Sequence, residues 1–249
     1  MKYQQQFQNI EQAMHYYSIY RKNISYDSLI HLIEQNIIEK ILFEYVGETH
    51  NKSLLDFACG FGRILDILES KFRVAYGVDV SPAMIALAQT EKRKAKLFVG
   101  DIIRDENLLP GPFDVITSFR FLLNADTRLR EEALLALRRR MAEESILIIN
   151  NHGSAPSLRS VSIKLRKTFE KKDQNWLNEI SQQEFRDLAY KCGFSIVTQV
   201  GTSVLTPNIF RFLGTRFTNI IEQMALFTTI SQWIGSNQIY VLKRKKIIK

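Results

Sequence analysis

Three carboxylates each close a short apolar run: Asp56 after Leu54-Leu55, Asp79 after Val74 to Val78, and Asp101 after Leu97 to Gly100. Beyond the first lies a tight turn with Gly60 and Gly62, where the missing Cβ permits positive φ and lets a ligand approach the backbone closely. An ionised carboxylate only accepts hydrogen bonds, so each suits a donor: an ammonium, an exocyclic amine or a ribose diol. Asp79 follows Asp56 by 23 residues, near the roughly 20-residue separation at which an acidic side chain meets a ribose diol. Two further residues have chemistry in reach. Arg120, between Phe119 and Phe121, has a planar fork that fits a carboxylate or phosphate, and would equally pair with a structural carboxylate. His152, in Asn150-Asn151-His152-Gly153, could take a proton from a hydroxyl or serve only to orient its loop.

These residues need strands and helices that bring them together. The run Leu54 to Arg63 reads as a buried strand, a turn and the start of a helix, with Ile64, Leu65 and Ile67 at helical spacing. Val74 to Ser81 reads as a second strand, and Ser81-Pro82 opens a helix with serine at the cap and proline in the first turn. Ala95 to Gly100, Phe113 to Ser118 and Ser145 to Asn150 supply three more strands. Strands alternating with helices predict an open parallel sheet, with ligands at the carboxyl ends of its strands. A dinucleotide site would want a third glycine where Leu65 stands. Asp56 beside a pyrophosphate would also set like charges together. A ligand with an ammonium and no phosphates fits better, and S-adenosylmethionine carries both a sulfonium and an α-amino group.

On these residues the chain resembles the class I S-adenosylmethionine-dependent methyltransferases. Asp56 to Gly62 matches the acidic residue and glycine-rich turn of the family's first motif, with Ala58 where the first glycine usually stands. Asp79, Gly100-Asp101 and Phe113-Asp114-Val115-Ile116 match the next three motifs in order, and the likeness covers about residues 50 to 200 plus a final strand. It implies an α/β, Rossmann-like seven-stranded methyltransferase sheet with helices on both faces, an N-terminal helical lid and helical insertions in the C-terminal half. The implied division is one domain over 1–249: a cap over 1–49, a core over 50–200, then an insertion and last strand over 201–249. The implied cofactor is S-adenosyl-L-methionine, held by Asp56, Ala58, Cys59, Gly60, Gly62, Asp79, Val80, Met84, Asp101, Ile102 and Ser118. The turn would take the methionine portion, Asp79 the ribose and Asp101 the adenine. Ala58 in place of glycine predicts a slightly tighter pocket. His152 and Arg120 are the catalytic candidates, the first as base for an alcohol acceptor. The Asn/Asp-Pro-Pro-Tyr/Phe motif of amide and adenine N-methylating relatives is absent, which favours oxygen as the methylated atom.

Composition limits the partners. The 249 residues carry a formal charge of +8, but Lys243 to Lys249 hold +5 and Arg159 to Lys172 another +5, leaving −2 for the remainder. This pattern favours a small-molecule acceptor, anionic or hydrophobic, over nucleic acid. An RNA methyltransferase using the basic segments and a non-catalytic S-adenosylmethionine-binding protein are the alternatives. Cys59 and Cys192 give neither a metal-ligand spacing nor a disulfide framework. No run reaches the roughly 18 apolar residues of a membrane span, and no apolar leader opens the chain, so a cytoplasmic protein is expected. Ile30, Ile33, Ile37 and Ile41 predict a helix over Asp27 to Val46, with Tyr16, Tyr17, Tyr20 and Arg21 ahead of it as lid candidates. Ser181 to Glu184 reads as a capping box before a helix, with strands at Phe194 to Val200 and Gln238 to Leu242. Insertions over 154–177 and 206–235 are expected to cover the acceptor pocket, the second rich in Phe, Ile and Leu. Such content equally suits a hydrophobic site or peripheral contact with a membrane.

Overall fold

The computed structural model describes residues 9–21, 25–154, 157, 178–228 and 230–245. Two helices, α1 (Ile10–Arg21) and α2 (Tyr26–Tyr45), precede β1 (Ser53–Phe57). A short α3 (Leu65–Leu68) leads to β2 (Val74–Asp79), followed by α4 (Pro82–Thr90), β3 (Lys96–Val99) and β4 (Phe113–Ser118). Then come α5 (Thr127–Arg139), β5 (Met141–Asn151), α6 (Gln182–Lys191), β6 (Phe194–Thr202), α7 (Pro207–Phe227), α8 (Ile230–Ile234) and β7 (Asn237–Arg244). Much of the first expected insertion, including the basic run Arg159 to Lys172, and the tail from Lys246 lie outside the described residues.

The strands form one sheet in the order β3-β2-β1-β4-β5-β7-β6. The first five pair in parallel, while β7 runs antiparallel between β5 and β6. Successive side chains of a strand face opposite ways, and here both faces are buried. Leu54, Val115, Ile146, Ile148, Ile239 and Val241 pack under α2, α3 and α4. Their neighbours Leu55, Ile116, Leu147, Ile149, Tyr240 and Leu242 pack against α5 and α6. Strands covered on both faces read as continuous apolar runs, which is why they were legible in the sequence.

Local chemistry sets the helix ends. Ser81 Oγ accepts the Met84 N–H at 3.2 Å ahead of Pro82. Ser181 and Glu184 form the expected capping box. On α2 the stripe from Leu29 to Leu42 is buried, and Ser25 caps its start. The sequence reading passed over α5, although Asp126 caps it and Ala133, Leu134 and Leu137 are buried at helical spacing. Its Arg128, Arg130, Glu131 and Glu132 masked that periodicity.

Candidate active site

The carboxyl ends of β1, β2 and β4 open on a cavity of about 1100 Å³, counting its mouth. Of the residues expected to bind cofactor, Asp56, Ala58, Cys59, Gly60, Asp79, Val80, Met84 and Asp101 line it. Arg120 lines it as well.

The turn after β1 needs left-handed backbone at Ala58 (φ 54), Gly60 (φ 54) and Gly62 (φ 86). A non-glycine residue there costs about 1–2 kcal/mol, so Ala58 strains the turn. Asp79 anchors the turn: its Oδ2 accepts the Gly60 N–H at 2.9 Å and its Oδ1 accepts the Ser81 N–H at 2.9 Å. Burial raises the Asp79 pKa against the pull of these backbone donors. Asp101 accepts the Ile103 N–H at 2.9 Å through Oδ1 alone. Asp56 is 1% exposed; Thr117 donates to its Oδ1 at 2.7 Å, while Oδ2 is buried with no hydrogen-bond partner among the described residues. Burial pushes its pKa up to about 7, opposed by the Thr117 hydroxyl and Arg63. A buried carboxylate oxygen with no donor fits a ligand ammonium.

Four expected site residues lie outside the lining. Gly62 instead admits Arg93, whose guanidinium carbon would sit 2.6 Å from any Cβ placed there. Arg93 in turn donates to Phe61 O and Ala88 O, each at 2.9 Å, clasping the turn to α4. Ile102 is wholly buried in the core, and its neighbour Ile103 lines the cavity. Ser118 is fully buried at the end of β4. His152 is 8% exposed just past β5. Burial drives the Cys59 thiol well above its usual pKa, which removes it as a nucleophile. Among the described residues no cluster of His, Cys, Asp and Glu is placed to hold a metal ion.

The sequence reading gave no role to Arg63 or Glu34. Glu34, fully buried on α2, pairs with Arg63 Nη1 and accepts from Asn237 Nδ2 at 2.8 Å. Asn237 accepts from Asn150 Nδ2 at 2.9 Å, and Asn150 accepts the Arg120 N–H at 2.6 Å. One chain of polar contacts therefore joins the turn after β1, α2, β7, β5 and the segment after β4. Burial pushes the Glu34 pKa up, but Arg63 and Arg120 outweigh it and hold the carboxyl below its ordinary range. The Tyr20 ring lies 5.2 Å from the Arg63 guanidinium carbon and 5.5 Å from that of Arg120. Tyr16, Tyr17 and Tyr20 close on Phe61 with ring centroids 5.2–5.9 Å apart. Of these tyrosines, Tyr16 lines the cavity.

Sheet order, turn and strand-end carboxylates together define a class I S-adenosylmethionine-dependent methyltransferase. A family model described as "Methyltransferase domain" matches residues 48–193, and the chain belongs to that family. The fold is similar to magnesium protoporphyrin IX methyltransferase (ChlM) of Synechocystis PCC 6803 with bound SAH, at TM-score 0.63 and 15% identity, covering 92% of this chain and 93% of that one. It is similar to the plantazolicin methyltransferase BamL at TM-score 0.63 and 17% identity, over 98% and 94% of the two chains. Among curated proteins, the 18S rRNA (guanine-N(7))-methyltransferase bud23 of Schizosaccharomyces pombe is 31% identical over 41% of this chain and 39% of its own. The Mus musculus 18S rRNA (guanine-N(7))-methyltransferase is 32% identical over 30% and 28%. The chain thus spans well under half the length of these curated relatives.

Proposed function

We propose that the enzyme methylates an oxygen of a small-molecule acceptor whose anionic group is held by Arg120. The supporting observation is the setting of that guanidinium. It lines the cavity past the turn, its Nε is buried with no hydrogen-bond partner among the described residues, and the Asp27 carboxylate stands 3.6 Å away and 42% exposed. Its backbone is held at φ 63 by Asn150 Oδ1 and by Asn124 Nδ2, which donates to Arg120 O at 2.5 Å. Two contacts thus hold a strained conformation that sets the head group.

In this reading Asp56 accepts from the cofactor's ammonium, Asp79 from its ribose and Asp101 from its adenine amine. S-adenosylmethionine supplies the electrophilic methyl carbon. The residues then do what displacement at carbon demands: they align the acceptor oxygen, methyl and sulfur and keep water out. Asp79→Ala is expected to abolish the thermal shift that S-adenosylhomocysteine gives the wild type, because the diol loses its acceptor and the turn its anchor. A shift of undiminished size would remove Asp79 from the site.

Arg120→Ala should raise KM for an anionic acceptor about 10- to 100-fold, the loss of one or two charge-assisted hydrogen bonds. Since His152 stands outside the lining, His152→Ala should cost less than about tenfold in turnover, below the range of a lost general base. A larger fall would return the base role to it. A second reading, RNA as acceptor, is favoured by the similarity to rRNA methyltransferases. Labelled methyl donor offered with small-molecule extracts and with total RNA separates the two: label confined to RNA would overturn the small-molecule proposal.

A further inference from the structure

Helix α7 leaves an apolar stripe exposed while Phe210 and Leu226 pack on the core. Gly214 (φ 72) breaks the helix into two stretches, a conformation open to glycine with no atom near a Cβ there. In the second stretch the buried residues are Thr218 and Glu222, both polar. Phe217, Ile220, Met224 and Phe227, spaced three and four apart and so on one stripe, are exposed instead. Phe212 before the break is 89% exposed, Phe227 at the end 92%, and Trp233 on α8 72%. No described residue of 206–235 lines the cavity.

The orientation is held from both sides. The Glu222 carboxylate accepts the Val204 N–H at 3.2 Å and the Leu205 N–H at 3.0 Å, and rolling the helix would strand it. Phe210 packs edge-on to Tyr26 of α2 at 5.7 Å. An amphipathic helix normally turns its apolar stripe inward; here it faces outward together with an indole, and contiguous exposed apolar surface of this kind marks an interaction site.

Charge selects the partner. The one acid on α7 and α8 is the buried Glu222. Arg211 and Arg216 stand exposed on α7 itself. A second copy of this face would set the arginines against each other, and the chain's other basic run, Arg159 to Lys172, has the same sign. Aromatic and aliphatic side chains on one face with arginines beside them match a helix lying in the interface of an anionic bilayer.

We propose that the face formed by α7 and α8 docks the enzyme on an anionic membrane surface. The face stands apart from the cavity, so the assignment holds whatever the acceptor is. The test is flotation of the full chain with vesicles of phosphatidylcholine alone and of phosphatidylcholine mixed with phosphatidylglycerol. The wild type should float with the anionic vesicles only, and added salt should weaken binding. Phe212→Ser with Phe227→Ser, which keeps every charge, should weaken it about tenfold or more while S-adenosylhomocysteine still raises the melting temperature. In a Trp176→Phe chain, Trp233 emission should shift to the blue on anionic vesicles. Absence of flotation would overturn the proposal, as would flotation unchanged in the serine variant, which would assign it to charge alone. Self-association or RNA binding that the same serines abolish, without vesicle binding, would overturn it in favour of that occupant.

Discussion

Asp56→Asn is expected to make the ligand-free protein more stable at pH 8 while weakening S-adenosylhomocysteine about 30-fold or more. Burial holds the Asp56 pKa near 7 against a reference value of 3.8. Ionising it in the fold therefore costs about 4 kcal/mol. For an acid with a raised pKa the sign is fixed: its contribution is most favourable below the unfolded pKa, declines as pH rises from about 4 to about 7, and is flat above. Asparagine carries no charge, and its oxygen still accepts from Thr117. Its amide would lack an acceptor at the site of Oδ2, which costs about 1–3 kcal/mol. The net gain at pH 8 is about 2 kcal/mol, read by denaturant unfolding of the ligand-free chain. The loss of affinity follows from removing a buried acceptor for the cofactor's ammonium. In the wild type, affinity should fall about tenfold per pH unit below 7, since the carboxyl must ionise to receive the ammonium. Asparagine should flatten that slope. An asparagine variant that binds as tightly as wild type at pH 8 would show that the ammonium is held elsewhere.

Glu34→Ala should be the most damaging single substitution in the polar chain, at about 3–5 kcal/mol and a fall of roughly 10 °C in melting temperature. The alanine leaves Arg63 buried beside Arg120 without its carboxylate and removes the acceptor for Asn237. A buried ion pair contributes less than the cost of breaking it, since both charges were taken out of water. Glu34→Leu with Arg63→Met should accordingly recover most of the lost stability, measured as a double-mutant cycle. If the single and double variants were equally destabilised, the damage would come from the Asn237 side of the chain.

The placement of the three carboxylates was legible because strand ends can be found by counting. Asp56, Asp79 and Asp101 each close an apolar run, and backbone geometry carries them to one edge of the sheet. Arg63 was in plain view beside Gly62 but its meaning was not, because its partner sits 29 residues upstream on a helix. Glu34 was the available signal: a carboxylate next to Ile33 and close to Ile37 in a stripe that is otherwise apolar demands a cation. Ile102 and Ile103 show the limit of counting past a strand. Beyond Val99 the chain turns, alternation lapses, and the neighbour of the chosen residue faces the cavity. His152 follows β5 by one residue and stands outside the cavity lining.

The bond between Asn237 and Glu34 spans 203 residues and ends on the last strand, which slots between two strands made before it. Order of synthesis then matters. The residues proposed to cradle the cofactor, from Asp56 to Asp101, have left the ribosome long before β7 exists. Until β7 arrives, nothing joins β6 to β5 and one oxygen of the Glu34 carboxylate waits for its amide. A nascent chain stopped short of Asn237 would hold a finished cradle above an unfinished floor. With β7 comes the amide that lets α2 settle.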